Sequence, residues 1–397
     1  MQLPKAIYEL EFNHGTIYGE EEIAAVLAVM KANAPSTGPR VKEFEEKFAA
    51  YCGAAHGLAV TSATAGLHLA LIAAGVGPGD EVITTPISWI STANAAAALG
   101  ARVVFADVEE RTLNLDPVSV AAKVTPRTKV ILPVHLYGQC CDMGALNEIA
   151  RPRGIRVVED CAHAAGGEWK GRKSGTLGDI GCFSFHQQKN MVTLGEGGMN
   201  TTSDQRLYEK MLSFRSLCCR TYDPKGKYLP IDESVTPMGM RYWYLDFDGV
   251  GFNYRMTDMQ AAVGIVQLRR LDALNARRIE IASIYNERLA GIPGLVLPYV
   301  SPDVKHVFHI YCVLVKPEFG MSKEEFMWKL YTEKRIKVWS HYMPIHLTTV
   351  YRNQGHGDGE CPVAERLFHE YVSIPIHPRL TDEAIEYVTS AIRELAK

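Results

Sequence analysis

Four short apolar runs, Glu81–Thr85, Arg102–Ala106, Lys129–Pro133 and Arg156–Glu159, alternate with helical stretches that include Ser91–Leu99 and Met143–Ala150. This rhythm constrains the fold more than any other feature. Parallel strands need a crossover, usually a helix, and strands buried on both faces read as unbroken apolar runs. The pattern therefore predicts an α/β protein with a mainly parallel sheet between helices. Ligands of such sheets sit at the carboxyl ends of the strands. One rim then collects the Thr61–Gly66 loop after the short strand His56–Val60, Trp89 after Thr84-Thr85-Pro86, His135 and Tyr137 after Val134, and Glu159-Asp160 after Val157-Val158.

Ahead of the sheet, Glu20–Lys31 places Ile23, Val26, Leu27 and Met30 on one helical face. Val41–Tyr51 repeats the pattern after the breaker Thr37-Gly38-Pro39, which predicts an N-terminal helical arm. A helix over Asp204–Phe214 leads to a stretch from Arg215 to Gly251, with Pro224, Gly226, Pro230 and Tyr242-Trp243-Tyr244, too long for a plain connector and suited to covering a site. A further helix begins near Met259 and runs through Gln267-Leu268. The 397 residues are enough for two domains. The change of pattern divides them into a large domain, 1–260, and a small one, 261–397. The small domain reads as α+β: helix Leu271–Leu289, strand Phe308–Val315, helix Lys323–Thr332, strand Lys337–Ser340, helix Val363–His369, strand Ser373–Pro375 and helix Asp382–Leu395.

Composition narrows the partners. A formal charge of −3 without any Lys/Arg run argues against nucleic acid or an anionic membrane. The start, Met1-Gln2-Leu3-Pro4-Lys5, lacks the regions of a secretory signal, and no run of about 18 apolar residues could span a bilayer, so a cytoplasmic protein is expected. Nine cysteines without a CxxC pair fit reduced thiols, and thirteen histidines without HExxH or four-ligand spacing predict no structural metal.

The chemistry concentrates in Gly181–Asn200, GCFSFHQQKNMVTLGEGGMN, where an apolar strand end delivers Lys189 ahead of the turn Gly195-Glu196-Gly197-Gly198. A lysine that loses solvation there has a lowered pKa, and its neutral amine attacks carbonyls. A solvated surface lysine beside a glycine turn would carry the same letters. Thr61-Ser62-Ala63-Thr64-Ala65-Gly66 opens a helix over Leu67–Ala74 with hydroxyls and free amides, which suits a phosphate and equally an ordinary N-cap. Asp160 is either an exposed strand terminus or the partner of a cationic ring nitrogen. His163 is either a hydrogen-bond partner of a ring oxygen or a buried structural histidine. His306, His309, His341 and His346 sit around strand ends, each as a pocket residue or a structural one. One ligand explains these features together: a phosphate at the loop, a ring over Trp89, a cationic nitrogen on Asp160 and an aldehyde on Lys189. That ligand is pyridoxal 5'-phosphate.

At these residues the chain resembles the DegT/StrS-type sugar aminotransferases, pyridoxal-phosphate enzymes of fold type I. The likeness runs from Gly38 to His377 through Ser36-Thr37-Gly38-Pro39, Thr61 to His68, Pro133-Val134-His135-Leu136-Tyr137-Gly138-Gln139, Glu159-Asp160-Cys161-Ala162-His163-Ala164, Gly175-Thr176-Leu177-Gly178-Asp179, Ser184 to Lys189, Gly195 to Gly198, and Gly251-Phe252-Asn253-Tyr254-Arg255-Met256. It implies a large domain with a mainly parallel seven-stranded sheet and a smaller C-terminal α+β domain. It also implies roles. Lys189 would hold the cofactor as a Schiff base and act as general base, Asp160 would pair with the pyridinium, His163 with the ring oxygen, and Trp89 would stack on the ring. Ala63, Thr64 and Ser184 would bind the phosphate with Asn253 of a second subunit, so that a homodimer shares its sites. Arg255 and His341 would touch substrate. The implied reaction moves the amino group of L-glutamate, or glutamine, to a keto sugar with ping-pong kinetics.

Two rivals remain at this stage. Relatives that act as sugar dehydratases replace the lysine with histidine, and Lys189 argues against that chemistry. A non-catalytic regulatory protein would have no chemical reason to keep Lys189, Asp160 and the phosphate loop together. The segment Arg215-Ser216-Leu217-Cys218 lacks the His-Gly that often follows the family's arginine, which suggests an acceptor shape of its own.

Overall fold

The computed structural model describes residues 17–33, 35–220 and 246–396. Most of the irregular stretch expected from Arg215 to Gly251 lies outside the described residues. Seven strands form the central sheet: β1 (His56–Val60), β2 (Glu81–Thr84), β3 (Arg102–Phe105), β4 (Thr128–Leu132), β5 (Arg156–Asp160), β6 (Ile180–Ser184) and β7 (Gly198–Thr202). Their spatial order is β1-β7-β6-β5-β4-β2-β3. Strands β2 to β6 are parallel, whereas β7 runs antiparallel to both β6 and β1. The reversal follows from the connection: segment 185–197 contains no helix, so it returns the chain as an antiparallel neighbour. The α/β class and the seven-stranded, mainly parallel sheet are as expected, and the four strands read from the alternation end within one residue of their expected bounds.

Helices cover both faces. Along β6, Phe183 packs with α2 (Pro39–Cys52), while Ile180 and Cys182 pack with α3 (Ala63–Ala73), the alternation of a strand buried on both sides. The ring of Phe48 lies 4.9 Å from that of Phe183 and 5.3 Å from that of Phe185, both near edge-on. Each such ring contributes roughly 2–3 kcal/mol by burial. This cluster fixes the strand whose end leads to Lys189.

Three elements differ from expectation. The helix α1 (Glu20–Lys31) does not bury the face of Ile23, Leu27 and Met30, all about half exposed; it buries Glu22 and Val29 instead. The carboxylate of Glu22 accepts from Gly19 N at 2.8 Å, Gln267 Nε2 at 2.8 Å and Arg270 Nη1 at 2.9 Å, so polar anchors decide which side docks. The two helices expected around residue 270 are one, Asp258–Leu289, which starts on a Thr257–Gln260 capping box. Leu268-Arg269-Arg270-Leu271 are all good helix formers, and nothing there breaks the ladder. The first half of this helix packs Ala261 and Ile265 against Phe44; the second half packs Ile281, Tyr285 and Leu289 against the small sheet of β8 (Leu295–Val296), β9 (Tyr311–Val315) and β10 (Tyr371–Ile374). The third difference is Lys337–Ser340, which forms a single bridge, Trp339 to Ser373, rather than a strand. Beyond it the chain leaves β10 and crosses to the large sheet, where Ile345 N donates to Pro86 O at 2.8 Å.

Candidate active site

The rim is built around a row of three residues. Gly198, the first residue of β7, pairs with Val60 at the end of β1 on one side and with Ser184 at the end of β6 on the other. The loop after Val60 is thereby set beside Ser184. Ser62 caps helix α3, its Oγ accepting from Ala65 N at 3.2 Å, and the amides of Ala63 and Thr64 have no acceptor among the described residues. A Cβ on Gly198 would lie 2.7 Å from Ser62 C, 2.8 Å from Ala63 N and 2.8 Å from Phe183 O. All three are backbone atoms that cannot step aside. Gly198→Ala is expected to cost about 1–3 kcal/mol by overpacking, read as thermal melting, and to weaken binding of inorganic phosphate at this loop.

Asp160 ends β5 and is 4% exposed. Its Oδ2 accepts from Thr92 Oγ1 at 2.8 Å and its Oδ1 from Ala162 N at 3.0 Å. Among the described residues it makes no ion pair. Burial raises its pKa, against the hydrogen bonds and the charge of Lys189. Thr92 was not foreseen from the sequence, although it stands only three residues after Trp89, in Trp89-Ile90-Ser91-Thr92. Ser88 bonds Thr92 at 2.9 Å and Thr64 bonds Ser91 at 2.9 Å, so hydroxyls tie the Thr61–Gly66 loop to the segment of Trp89. Trp89 itself is 61% exposed at the rim.

Lys189 follows β6, its backbone N–H donating to His186 O at 2.8 Å. Among the described residues its amine makes no hydrogen bond or ion pair. Burial pushes its pKa down to about 8, against the pull of Asp160 and Glu196. Below that value the reactive neutral fraction grows about tenfold per pH unit. The rate at which cofactor-free protein captures an aldehyde on Lys189 is therefore expected to climb with pH and level off above about 8, whereas an ordinary lysine would keep climbing toward 10. Stopped-flow absorbance across that range checks it.

His163 is buried at the same rim. Its Nδ1 accepts from Tyr137 N at 3.3 Å and its Nε2 lies 3.2 Å from Tyr342 Oη. Burial, then the nearby charge of Lys189, holds it well below the usual imidazole range, so the ring is neutral. The His309 ring lies tilted against it, with centroids 4.5 Å apart, and its Nδ1 is bonded to Asn190 Oδ1 at 3.1 Å. His341 Nδ1 bonds Ser373 Oγ at 3.0 Å. Tyr342 lies between the histidines singled out in His341-Tyr342-Met343-Pro344-Ile345-His346, yet sequence reasoning passed over it. Asn253 is exposed, and its backbone bridges Ser216; Arg255 bridges Val60, beside the Thr61–Gly66 loop.

Other residues at strand ends are structural. Glu159 is fully buried and accepts from Leu177 N, Gly178 N, Gly175 N and His135 Nε2 at 2.7 to 2.9 Å. With Cys161 these form a buried His/Glu/Cys cluster, whose carboxylate is already saturated by donors. His346 bonds Glu365 at 2.9 Å, and His306 stacks on Phe308. Arg215, on the helix Gln205–Arg215, is buried against Glu45 at 2.5 Å and Ala59 O at 2.9 Å. The nine cysteines are free thiols. No helix of the described residues is long and apolar enough to cross a membrane.

A loop cradle that a Cβ would fill, together with a buried carboxylate and an amine that have no ion-pair partner among the described residues, fits pyridoxal 5'-phosphate. On a mainly parallel sheet of this order they define a pyridoxal-phosphate enzyme of fold type I. The chain belongs to the DegT/DnrJ/EryC1/StrS aminotransferase family, whose model matches residues 16–393. It is 40% identical over 388 residues to the spore coat polysaccharide biosynthesis protein SpsC of Bacillus subtilis (strain 168), covering 96% of each chain. It is 38% identical over 361 residues to the GDP-perosamine synthase of Caulobacter vibrioides, covering 91% of each. Spr1654 of Streptococcus pneumoniae, solved in PLP and PMP forms, superposes with a TM-score of 0.88 in the PMP form at 28% identity, covering 97% of this chain and 98% of that one. The protein is a pyridoxal-phosphate-dependent aminotransferase.

Proposed function

We propose that the protein moves the amino group of L-glutamate, or glutamine, to a keto sugar and releases an amino sugar by ping-pong turnover. The observation that carries this reading is a pair set by adjacent strands: a buried carboxylate, Asp160, at the end of one, and the amine of Lys189 in the segment that follows the other, its pKa lowered to about 8, neither in an ion pair among the described residues. The polysaccharide and perosamine relatives support a sugar as acceptor.

When bound, the cofactor supplies a ring that withdraws electrons from the donor's α-carbon and carries the amino group between the two substrates. Asp160 would hold the proton of the ring nitrogen, oriented by Thr92 and Ala162. Lys189 would bind the aldehyde and, once displaced by the donor's amine, take the α-proton on Nζ and return it during the second half-reaction. The amides of Ala63 and Thr64 with Ser184 Oγ would hold the phosphate. Trp89 would cover one ring face, and His163 would serve the ring oxygen. Arg255 and His341 would touch substrate. Asn253 would complete the phosphate site of a second copy, making a homodimer with shared sites. We also propose that residues 1–260 form the cofactor-binding domain and 261–397 the small domain, bridged by the helix Asp258–Leu289, in a cytoplasmic protein.

The test supplies L-glutamate to cofactor-loaded protein without an acceptor. One 2-oxoglutarate per chain is expected, then silence until a keto sugar restarts release. Continuous release without an acceptor, or none with either glutamate or glutamine, contradicts the reading.

A further inference from the structure

Tyr342 reaches the rim from the small domain on a segment held at several points. Trp339 and Ser373 exchange backbone hydrogen bonds of 3.2 and 2.7 Å on one side, and Ile345 N is tied to Pro86 on the other. Between them, Tyr137 Oη donates to His341 O and Tyr371 Oη donates to Tyr342 O. The Tyr342 ring is thus fixed between two site residues. It lies nearly parallel to His163, at 6.1 Å and 19°, and edge-on to Trp89, at 6.1 Å and 64°.

The direction of the hydrogen bonds follows from one backbone amide. Tyr137 N–H can only donate, so His163 Nδ1 must accept and carries no proton. The single proton of the neutral imidazole is then on Nε2 and points at Tyr342 Oη, 3.2 Å away. The hydroxyl accepts there, and its own proton has no acceptor among the described residues. Tyr137, at φ 58°, is in the left-handed conformation that a residue with a side chain seldom adopts.

We propose that Tyr342 is a cofactor-binding residue whose O–H donates to the phenolic oxygen of pyridoxal 5'-phosphate, with His163 behind it as the residue that positions and polarises that hydroxyl. The relay runs Tyr137 N–H to His163 Nδ1, His163 Nε2–H to Tyr342 Oη, and Tyr342 O–H to the ligand. Its consequence is that docking of the small-domain segment and capture of the cofactor ring are one event. The inference rests on the aminotransferase reading and refines it: His163 serves the ring oxygen through Tyr342, a residue outside the large sheet, rather than by direct contact.

The test uses Tyr342→Phe, which keeps the ring and removes only the hydroxyl, with thermal melting to confirm the fold. Binding of pyridoxal 5'-phosphate to cofactor-free protein is read by tryptophan quenching, and the pH titration of the bound cofactor by its visible band. A donor to the deprotonated oxygen favours that form. Removing it is expected to weaken binding about tenfold and to raise the titration by about one pH unit. Because the relay is in series, His163→Ala should give the same two shifts, and the double variant no more than either single one. If Tyr342→Phe binds and titrates like the wild type while His163→Ala does not, His163 serves the ligand alone and the relay is wrong. Additive shifts in the double variant also overturn it. A wild-type protein that binds no cofactor overturns the aminotransferase reading as well, which separates the two failures.

Discussion

Lys189→Ala is expected to abolish transamination, by on the order of 10⁴-fold or more, because the proposed mechanism gives this one amine both the cofactor's aldehyde to hold and the α-proton to move. The fold should survive. The amine has no hydrogen-bond or ion-pair partner among the described residues, and the backbone bond to His186 O stays. Burial depresses the lysine's pKa to about 8, so in the folded state its charge is a cost below that value rather than a support. Alanine therefore leaves the melting temperature of the cofactor-free protein unchanged or raised. The variant should still bind pyridoxal 5'-phosphate through Asp160 and the loop, but without the visible band of a covalent link, and a small added amine should restore part of the proton transfer. Steady-state rates with and without methylamine check this.

Asp160→Asn is expected to reduce kcat by on the order of 10²–10³-fold, the usual loss when one preorganised electrostatic partner is removed from a buried site. Its effect on stability should change sign with the cofactor. Burial raises the folded-state pKa of this carboxyl. Its contribution to stability is thus present below the unfolded value and lost as pH rises through the folded value. At neutral pH the cofactor-free amide variant should melt no lower than the wild type. Bound cofactor stabilises a protein in proportion to the logarithm of its affinity, so the variant should gain less from added pyridoxal 5'-phosphate. Thermal melting of both proteins, with and without the cofactor, measures the difference.

Local pattern carried much of this molecule. The apolar runs between Glu81 and Asp160 specify their own strands, because a strand buried on both faces has no polar positions to confuse the pattern. The rim residues follow from where those strands stop. What the sequence hid depends on partners far along the chain. Nothing near Glu22 announces that Gln267 and Arg270 will bury it, leaving Ile23, Leu27 and Met30 outside. Gly198 reads as one glycine of a turn until β1 and β6 close on either side of it. Thr92 and Tyr342 reach Asp160 and His163 across separations of 68 and 179 residues, which no spacing rule addresses. Glu159, adjacent to Asp160, shows the converse: one strand position turns a carboxylate from the rim to a cage of backbone amides.

The most direct test of the account is to reduce the cofactor-loaded protein with borohydride, digest it and map the pyridoxyl adduct by mass spectrometry, with and without prior L-glutamate. The account predicts an adduct on the peptide containing Lys189 that disappears after incubation with L-glutamate, or with glutamine, because the amino group then resides on the released cofactor. An adduct on another lysine, or one on Lys189 that neither donor removes, would contradict it.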